Sequence, residues 1–455
     1  MLTIGFIFPS SDYLHDPFRG DPHTHFQVLT VIEYYFQNKV ELHLIDLRGI
    51  KKEFALYHIP QCDVFLYSAY TLDIKEQLIT LQNLKYHYPA SKHIAGGPHT
   101  SVFQDECLKY FDALILGECE DLIVDVINDI NSLKLQKIYR QITPIDINKY
   151  PIPSRRYLPK TTIARKGLMS LKSKRDFDDI YGTTVIFSRG CPYQCYFCAM
   201  PQLKHLSSGV RYRNPQFVKN EIEYLKHDYN IKGINLLDEI GIPLNPKFAT
   251  EYLEAIGSTD IVWRGQCRVD GISADIARLA GNSGCVAMGL GVESVSQRSL
   301  DMINKNIDIN KAKETIRLLK DNNIETRIYM IMGLPGEPDD IVEKTWDFIQ
   351  ETKPDIVILS LFTVRPGTEI YDNFQKFGIR KLHTDWDKTM HMYGRYEHEL
   401  PSLTFEYEKN TPWGRGFSSE QILNNYVKLQ SRLREHNLSS IPEVANNNQF
   451  TQVNH

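Results

Sequence analysis

Long hydrophobic runs, an excess of charge of one sign and a dense set of cysteines are all missing from this 455-residue chain. No apolar run approaches the roughly 18–20 residues that a membrane-spanning helix needs. The formal net charge is −4, so neither nucleic acid nor an anionic membrane surface is expected as the main partner. Residues 1–9 lack a basic region and are interpreted as a first strand, not a signal peptide. These absences favour a cytoplasmic protein without a membrane span.

The few cysteines are unevenly placed, which points to metal or redox chemistry rather than disulfides. The chain has eight, and Cys191, Cys195 and Cys198 form a CxxxCxxC motif directly after a predicted strand, residues 184–188. Three thiolates on a tight loop can bind three irons of a [4Fe–4S] cluster and leave the fourth iron free for a small molecule. A zinc site is the alternative, because zinc usually takes a fourth Cys or His ligand and His205 is near in sequence.

The N-terminal part of the chain has the pattern of an α/β domain. Short apolar runs alternate with helical stretches over residues 1–138, which predicts a doubly wound, Rossmann-like parallel sheet. Such sheets bind ligands at the carboxyl ends of their strands. The residues predicted at those ends are mostly small or polar: Pro9, Ser10, Tyr67, Ser68, Ala69, Gly96, Gly97, Pro98, His99, Gly117 and Glu118.

A second alternation of strands and helices runs through residues 182–373. It contains about six βα units and predicts a partial (β/α)6 TIM-type barrel. The active face of such a barrel lies at the carboxyl ends of its strands. Cys191 follows the first of these strands, so we expect the cysteine motif at the mouth of the barrel.

The remaining segments are predicted to connect or extend the two domains. Residues 139–181 are interpreted as a linker because four prolines interrupt them. Their basic stretch, residues 165–175, is interpreted as a solvated, mobile strap or, alternatively, as a lid over the substrate. Residues 374–440 form a small C-terminal extension with one predicted helix at 421–435, and residues 441–455 a disordered tail.

The cysteine motif and the barrel pattern resemble the radical S-adenosylmethionine (SAM) superfamily. The resemblance covers residues 182–373. It implies that Cys191, Cys195 and Cys198 hold a [4Fe–4S] cluster, and that the amino and carboxylate groups of SAM chelate the open iron. It also implies an external electron donor such as flavodoxin or ferredoxin.

The same resemblance implies a set of SAM contacts along the barrel. Asp238 and Glu239 stand where the family places an acidic contact to the methionine amino group, although its usual Gly-Gly-Glu is absent here. The implied contacts are Phe197 near adenine, Asp238 or Glu239, Glu293 and Ser294 at the ribose and methionyl carboxylate, and Gly333 and Glu337 at the adenine pocket.

Two motifs in the N-terminal part resemble the cobalamin-binding domain that precedes many radical SAM domains. They are Gly96-Gly-Pro-His99 and Gly117-Glu118, each after a predicted strand. Glycines suit such loops because a bulky planar cofactor needs close approach to the backbone. The resemblance places six residues around the corrin and its nucleotide tail: Ser68, Thr71, Gly96, Gly97, Gly117 and Glu118.

The ligand to cobalt stays open at the level of sequence. Asp21-Pro-His23 lies about where methionine-synthase-type domains supply a histidine ligand, but Phe26 replaces the glycine of that motif. Radical SAM relatives commonly lack the histidine ligand, so an ordinary loop histidine is the alternative interpretation of His23. Tyr67 and Tyr70 are further candidates for the lower face of the cobalt.

The paired resemblance implies methylation of an unactivated carbon or, less often, phosphorus centre. One SAM gives a methyl group to cobalamin, forming methylcobalamin, and a second yields a 5′-deoxyadenosyl radical that removes a substrate hydrogen. A ring-forming or carbon-skeleton rearrangement without methyl transfer is the first alternative. A cobalamin sensor or carrier is the second, although it has no need for the intact cysteine motif.

The sequence leaves the substrate open among small metabolites, lipids, sugars and peptide side chains. Specificity is expected from the barrel mouth, the strap and the C-terminal extension, although aromatic residues such as those of the extension usually belong to the core. The residues considered in this context are Trp386, Tyr393 and Trp413. The other cysteines are interpreted as core or loop thiols, without a second cluster-binding set as in methylthiolating relatives: Cys62, Cys107, Cys119, Cys267 and Cys285.

Overall fold

A computed structural model describes residues 1–9, 22–199, 209–386 and 402–439 of the chain. Strands of the first sheet are β1 (Leu2–Phe8), β2 (Val40–Asp46), β3 (Val64–Ser68), β4 (Lys92–Gly96), β5 (Ala113–Leu116) and β6 (Ile138–Arg140). Its helices are α1 (His23–Phe36), α2 (Ile74–His87), α3 (Pro98–Val102), α4 (Gln104–Cys107) and α5 (Glu120–Asn131). All strand pairs are parallel, in the order β2-β1-β3-β4-β5-β6.

The first sheet is doubly wound, as the alternation of strands and helices predicts. One face packs against α1 and α5, and the other against α2 and α4, so each face has its own apolar core. A sheet that is covered on both faces needs continuous apolar strands, and all five residues of β3 are buried. The three-residue β6 was not predicted, because Tyr139 is its only fully buried residue and so short a run carries no periodicity.

The second sheet is a curled half-barrel, which confirms the predicted partial (β/α)6 architecture. Its strands are β7 (Arg165–Lys166), β8 (Tyr181–Val185), β11 (Gly233–Leu236), β12 (Val262–Arg268), β13 (Cys285–Glu293), β14 (Glu325–Met332) and β15 (Ile356–Leu361). The order is β15-β14-β13-β12-β11-β8-β7, and only β7 is antiparallel to its neighbour. A separate hairpin pairs β9 (Ser188–Arg189) with β10 (Arg211–Tyr212).

Helices cover the outer face of the half-barrel and bury its apolar side chains in one core. They are α7 (Pro215–Tyr229), α8 (Pro246–Gly257), α9 (Ala274–Asn282), α10 (Gln297–Met302), α11 (Ile309–Asp321) and α12 (Ile341–Thr352), after a short α6 (Lys160–Ile163) in the connecting segment. None of the helices in the described ranges is both long and apolar enough to cross a bilayer.

The C-terminal extension completes the barrel. It contains α13 (Glu369–Asp372), β16 (Ile379–Leu382), β17 (Phe405–Tyr407), β18 (Asn410–Thr411), β19 (Gly414–Arg415) and α14 (Ser419–Glu435). The helix α14 begins two residues before the predicted start because Ser418 and Gln421 form a capping box. Tyr426 and Leu429 are buried in the barrel core, so α14 takes the place of a sixth barrel helix. Tyr393 and the predicted disordered tail lie outside the described residues.

The basic strap lies at the amino ends of the barrel strands, which is the edge opposite the cysteine motif. Met169 is fully buried against Gly182 and Gly233, the glycines at the starts of β8 and β11. The backbone N–H of Lys172 donates to Glu325 at the start of β14, over 2.6 Å. The interpretation of this segment as a lid over the substrate is therefore wrong, because the segment lies at the edge opposite the cysteine motif. Lys166, Lys172, Lys174 and Arg175 are exposed, as the interpretation as a solvated strap predicts. The side chain of Lys172 donates to the carbonyl of Asp355 over 2.9 Å.

The packing of Met169 against Gly182 and Gly233 predicts how substitutions at these positions change stability. A Cβ added at Gly233 would lie 2.4 Å from Cγ of Met169, so we expect Gly233→Ala to cost about 1–3 kcal/mol of unfolding free energy. Met169→Ala should cost about 2–5 kcal/mol by leaving a cavity. Denaturant unfolding measures both.

Two controls test whether the cost comes from this contact. The added Cβ of Gly271→Ala makes only an ordinary 3.4 Å contact, so this variant should stay within about 0.5 kcal/mol of the wild type. Gly233→Ala should cost less in the Met169→Ala background than in the wild type. Equal costs in the two backgrounds would contradict the packing described above.

Candidate active site

A cavity of about 400 Å³ lies between the carboxyl ends of the first sheet and the mouth of the barrel. Its volume is within the range of about 300–1,000 Å³ that is typical of small-molecule sites. One wall comes from the first sheet and includes Ser68, Tyr70, Gly96, Gly97, Gly117 and Glu118. The facing wall comes from the barrel and includes Ser188, Arg189, Gly190, Ala199, Arg211, Leu237, Asp238 and Glu239.

The cysteine loop is held at the barrel mouth by contacts from distant parts of the chain. The backbone N–H of Tyr196 donates to the carbonyl of Ile303 over 2.9 Å, and the carbonyl of Tyr196 accepts from Ile370 over 3.2 Å. The guanidinium of Arg268 lies 3.7 Å from Sγ of Cys195 and stacks on Tyr193 at 3.6 Å. A positive charge therefore stands beside a sulfur that is predicted to bind iron as a thiolate.

The three motif cysteines lie on one loop, and none of them forms a disulfide. Burial raises the pKa of Cys191, and the neighbouring Cys195 and Glu239 add to the shift. In the described ranges no group of three or more His, Cys, Asp or Glu side chains converges on one point as ligands of a single metal ion. A zinc ion requires such convergence, whereas the cysteines of a cubane cluster each bind a different iron. The alternative zinc ligand, His205, lies outside the described residues.

The acidic pair after β11 separates into two different environments. Oδ1 of Asp238 accepts the backbone N–H of Phe187 over 3.0 Å, and burial raises the pKa of Asp238 to about 7. Glu239 is exposed to the cavity, where enclosure by the walls raises its pKa and Arg365 opposes the shift. Glu239 is therefore placed to contact a ligand, and Asp238 is placed to fix the backbone before the cysteine loop.

The end of β13 is strained, which is common at functional sites. Glu293 has φ of +68°, a left-handed conformation that a non-glycine residue adopts only when its surroundings enforce it. Its carboxylate pairs with Lys305 over 2.8 Å, and both side chains are buried. A Cβ at Gly291 would lie 2.7 Å from Oε1 of Glu293, so the glycine leaves space for this pair. Sequence analysis missed Lys305, since no local pattern links it to β13.

Ser294 and Phe197 lie close to the barrel core. Ser294 is buried, and its Oγ accepts the backbone N–H of Ser296 over 3.1 Å before α10 begins. Phe197 is half-buried and packs against the barrel core. The assignment of both residues to SAM contacts stays a prediction.

The turn after β14 is fixed by its own acidic residue. Glu337 accepts the backbone N–H groups of Gly333 and Leu334 over 2.9–3.1 Å. Burial raises the pKa of Glu337 to about 8, although these donors oppose the shift. The hydroxyl of Tyr407 donates to the carbonyl of Gly333 over 2.9 Å. The carboxylate of Glu337 therefore shapes the turn that the resemblance assigns to the adenine pocket.

Backbone geometry, and not the predicted close approach of a cofactor, explains why glycines occupy the first wall. Gly97 has φ of +100°, and a Cβ there would lie 2.8 Å from the carbonyl oxygen of Ala69. Gly117 also has φ of +100°. The neighbouring strand and the turn geometry therefore require glycine, independently of any cofactor. Both residues still line the cavity, and their bare backbone faces it.

Three other predicted residues of the first domain have partners inside the protein. Thr71 lies outside the cavity wall, and its Oγ1 is 3.1 Å from Nδ1 of His99. The hydroxyl of Tyr67 is 2.9 Å from Nδ1 of His93 in the core, so Tyr70, half exposed on the wall, is better placed to meet a ligand. His23 lines the cavity, but its Nδ1 is 3.3 Å from the guanidinium of Arg155, and burial lowers its pKa well below the usual value.

The remaining cysteines do not form a second cluster-binding set. Cys62 and Cys107 are buried in the core of the first domain, and Cys119 lines the cavity. Cys267 and Cys285 belong to the barrel core, and burial raises the pKa of both thiols. Trp413 packs edge-on against Tyr407 at 5.5 Å and is partly buried against the barrel core.

This combination of a doubly wound sheet, a half-barrel and a three-cysteine loop at the barrel mouth defines an α/β iron–sulfur type of enzyme fold. Residues 185–349 match the family model described as the radical SAM superfamily. The match runs from the end of β8 through the cysteine loop into α12. The match places a radical SAM domain over these residues, which contain the cysteine motif.

Similar proteins align with most of this chain. The bacteriochlorophyllide d C-12(1)-methyltransferase of Chlorobaculum tepidum is 24% identical over 74% of this chain and 67% of its own. The anaerobic magnesium-protoporphyrin IX monomethyl ester cyclase of Rubrivivax gelatinosus is 26% identical over 77% of this chain and 62% of its own. The chain thus spans about two thirds of the length of these curated relatives.

A solved structure has the same fold. The radical S-adenosylmethionine methyltransferase TsrM from Kitasatospora setae, with cobalamin and a [4Fe–4S] cluster bound, superposes with a TM-score of 0.63. The superposition covers 83% of this chain and 79% of TsrM, with 16% sequence identity. At this identity the likeness concerns the fold alone.

The site predicts which cysteines bind iron. Cys191→Ala, Cys195→Ala and Cys198→Ala should each reduce the iron content after anaerobic reconstitution from about four per chain to below one. Cys267→Ala, a control in the barrel core, should keep its iron. Chemical analysis of iron and sulfide measures the difference, and full iron content in any one motif variant would remove that cysteine from the ligand set.

The acidic pair predicts separate effects on ligand affinity and stability. Glu239→Gln should raise the Kd for SAM about tenfold, or about 1.4 kcal/mol, and leave the unfolding midpoint unchanged. Asp238→Ala should instead lower stability by about 1–3 kcal/mol, because the N–H of Phe187 loses its acceptor. Calorimetric titration measures the Kd for SAM, and denaturant unfolding measures stability. Weaker SAM binding in Asp238→Ala together with lower stability in Glu239→Gln would exchange the functions assigned to the two residues.

Proposed function

We propose that this chain is a cobalamin-dependent radical SAM enzyme that methylates an unactivated carbon or, less often, phosphorus centre. The observation that carries the proposal is the cavity of about 400 Å³ that residues of both domains line. The strand ends of the first sheet form one side, and Gly190 before the first cysteine, with Glu239, forms the other. Ligands held by the two walls therefore share one enclosed volume with a substrate.

The barrel wall has donors and acceptors that fit a cluster and SAM. Three cysteines that form no disulfide follow Gly190 on one loop, and Arg268 places a positive charge beside Cys195. The carboxylate of Glu239 is open to the cavity and suits an ammonium group. Oδ2 of Asp238 is buried without a hydrogen-bond partner in the described part of the chain, so this edge has unused polar capacity.

The first wall has features that fit a large planar ligand. Gly97 and Gly117 present bare backbone at the carboxyl ends of β4 and β5, and Tyr70 presents a half-exposed ring. When bound, the cluster supplies the electron that splits SAM into methionine and a 5′-deoxyadenosyl radical, and cobalamin supplies a carrier for the methyl group. The protein's own contribution is to position these groups and to exclude water from the enclosed cavity.

The relatives support methyl transfer and define the alternative. A methyltransferase and a cyclase both align with about three quarters of this chain. A ring-forming or rearrangement reaction is therefore the alternative outcome of the test below. The intact three-cysteine loop argues against a cobalamin sensor or carrier, which needs no cluster.

The substrate class and the partners are parts of the proposal. A small metabolite, a lipid, a sugar or a peptide side chain is compatible with the cavity. An electron donor such as flavodoxin or ferredoxin is required because the cluster must be reduced before each SAM cleavage. We also propose a cytoplasmic location, where thiols stay reduced.

The proposed function predicts two separate products from SAM. The protein is reconstituted anaerobically with iron, sulfide and hydroxocobalamin, reduced, and incubated with methyl-deuterated SAM. Mass spectrometry should find deuterium in the extracted corrinoid, S-adenosylhomocysteine, and 5′-deoxyadenosine. Cys195→Ala should abolish the 5′-deoxyadenosine, because it removes a predicted ligand of the cluster that cleaves SAM.

Other outcomes would change the assignment. Formation of 5′-deoxyadenosine without label in the corrinoid would favour ring formation or rearrangement. Failure of the wild-type protein to retain corrinoid through gel filtration would overturn cobalamin dependence. Absence of 5′-deoxyadenosine from a protein with full iron content would overturn radical chemistry.

A further inference from the structure

The cysteine loop is the loop of a hairpin. β9 and β10 pair antiparallel, with Arg189 opposite Arg211 and Ser188 opposite Tyr212. The hairpin therefore joins the two ends of the segment that carries all three motif cysteines. Any group that holds β9 and β10 also holds the base of the cysteine loop.

Arginines of this hairpin bind acidic residues of the first domain. Nη1 and Nη2 of Arg211 donate to the two carboxylate oxygens of Glu118 over 2.8 and 2.5 Å. Arg189 donates to Glu120 and lies 3.7 Å from Glu118. Glu118 lies between β5 and α5, and Glu120 is the first residue of α5. We define the interdomain clamp as these four residues, Arg189, Arg211, Glu118 and Glu120.

Further contacts extend the clamp into the connecting segment. Nη1 of Arg211 also donates to the carbonyl of Ile145 over 2.7 Å. Arg213, the next residue but one, donates to the carbonyls of Ile147 and Tyr150, the latter over 3.0 Å. Ile145, Ile147 and Tyr150 are buried in the core of the first domain, so the hairpin is tied to that domain's interior.

The burial of the clamp indicates a geometric function. The side chain of Glu120 is 1% exposed and that of Glu118 is 9% exposed. Removing two such carboxylates from water costs several kcal/mol, which ion pairing roughly offsets, so a buried pair adds little net stability. It does penalise every arrangement in which the charges are separated, because an unpaired buried charge is costly. The clamp therefore selects one relative position of the two walls.

The clamp residues lie next to both predicted cofactor sites. All four clamp residues line the cavity. Arg189 lies two residues before Cys191. Glu118 follows Gly117, which is part of the predicted corrin wall. A displacement of either carboxylate therefore moves the corrin wall relative to the cluster loop.

We infer that the interdomain clamp consists of positioning residues that set the distance and orientation between the cluster loop and the cobalamin wall. This inference rests on the proposed function, in which both sites act on one substrate. Misplacement of reacting groups by about 1 Å can cost about 10²-fold in rate. Breaking the clamp should therefore lower kcat about 10²-fold while each cofactor still binds.

The first test uses the apoprotein and needs no cofactor. Glu118→Arg and Arg211→Glu each place like charges together, and hydrogen–deuterium exchange should increase at residues 113–120 and 188–212. The double reversal Glu118→Arg with Arg211→Glu should restore much of the protection. Lys313→Glu is the matched control, because it breaks an ion pair with Glu351 on the far surface of the barrel. Unchanged exchange in both single variants would overturn the clamp.

A milder pair of variants covers the case in which charge reversal prevents folding. Glu118→Gln keeps the shape of the side chain, and Arg211→Lys keeps the charge but loses the two-pronged contact. Both should show the same exchange pattern with a smaller amplitude. Wild-type exchange in these variants, with the reversals unfolded, would also overturn the clamp.

The second test uses the reconstituted holoenzyme. In Arg211→Lys the iron content, the corrinoid content and the Kd for SAM should stay within about twofold of the wild type. The magnetic dipolar interaction between the reduced cluster and cob(II)alamin, read by electron paramagnetic resonance, should broaden or weaken, and kcat should fall. An unchanged dipolar interaction would overturn the positioning function even if exchange had increased. A wild-type protein that binds no corrinoid would overturn the proposed function instead, and the apoprotein exchange would still decide whether the two walls are clamped.

Discussion

Charge pairing between the two domains is the interaction on which the rest of the site depends. The first wall presents Glu118 and Glu120, and the barrel hairpin presents Arg189 and Arg211, so each domain neutralises the other. Arg155 makes a similar link nearby, since its fully buried guanidinium contacts Glu221, the carbonyl of Thr184 and His23. Separating the domains would leave buried charges without partners, and this constraint keeps one cavity closed between two sheets.

The half-barrel divides stability and chemistry between its two edges. Met169 and the strap close the amino edge with apolar packing and backbone hydrogen bonds. The cysteine loop, Glu239 and the strained Glu293 lie at the carboxyl edge, where the chain tolerates unusual conformations. Strain and unpaired polar groups at one edge are compatible with folding because the other edge and the helix-covered core supply the packing.

Most of the architecture could be predicted because the signals are local. The strands of both sheets follow from apolar runs, and the cysteine motif from spacing within eight residues. The interpretation of the strap as a lid was wrong because its partners, Gly182, Glu325 and Asp355, are not adjacent to it along the chain. The small strand β6 was missed because three residues carry no periodicity.

The sequence by itself determined the class of fold, the cysteine ligand set to be tested and the resemblance to a family, since these depend on residue type and short spacing. All four paired candidates line the cavity, and only the tertiary structure decided how they divide. Asp238 is buried and accepts the backbone N–H of Phe187 while Glu239 is exposed, and Tyr67 is buried against His93 while Tyr70 is half exposed. The same holds for Glu118, which the structure places in an ion pair with Arg211. Burial and the identity of a partner are set by contacts between distant segments, and one sequence does not contain those distances.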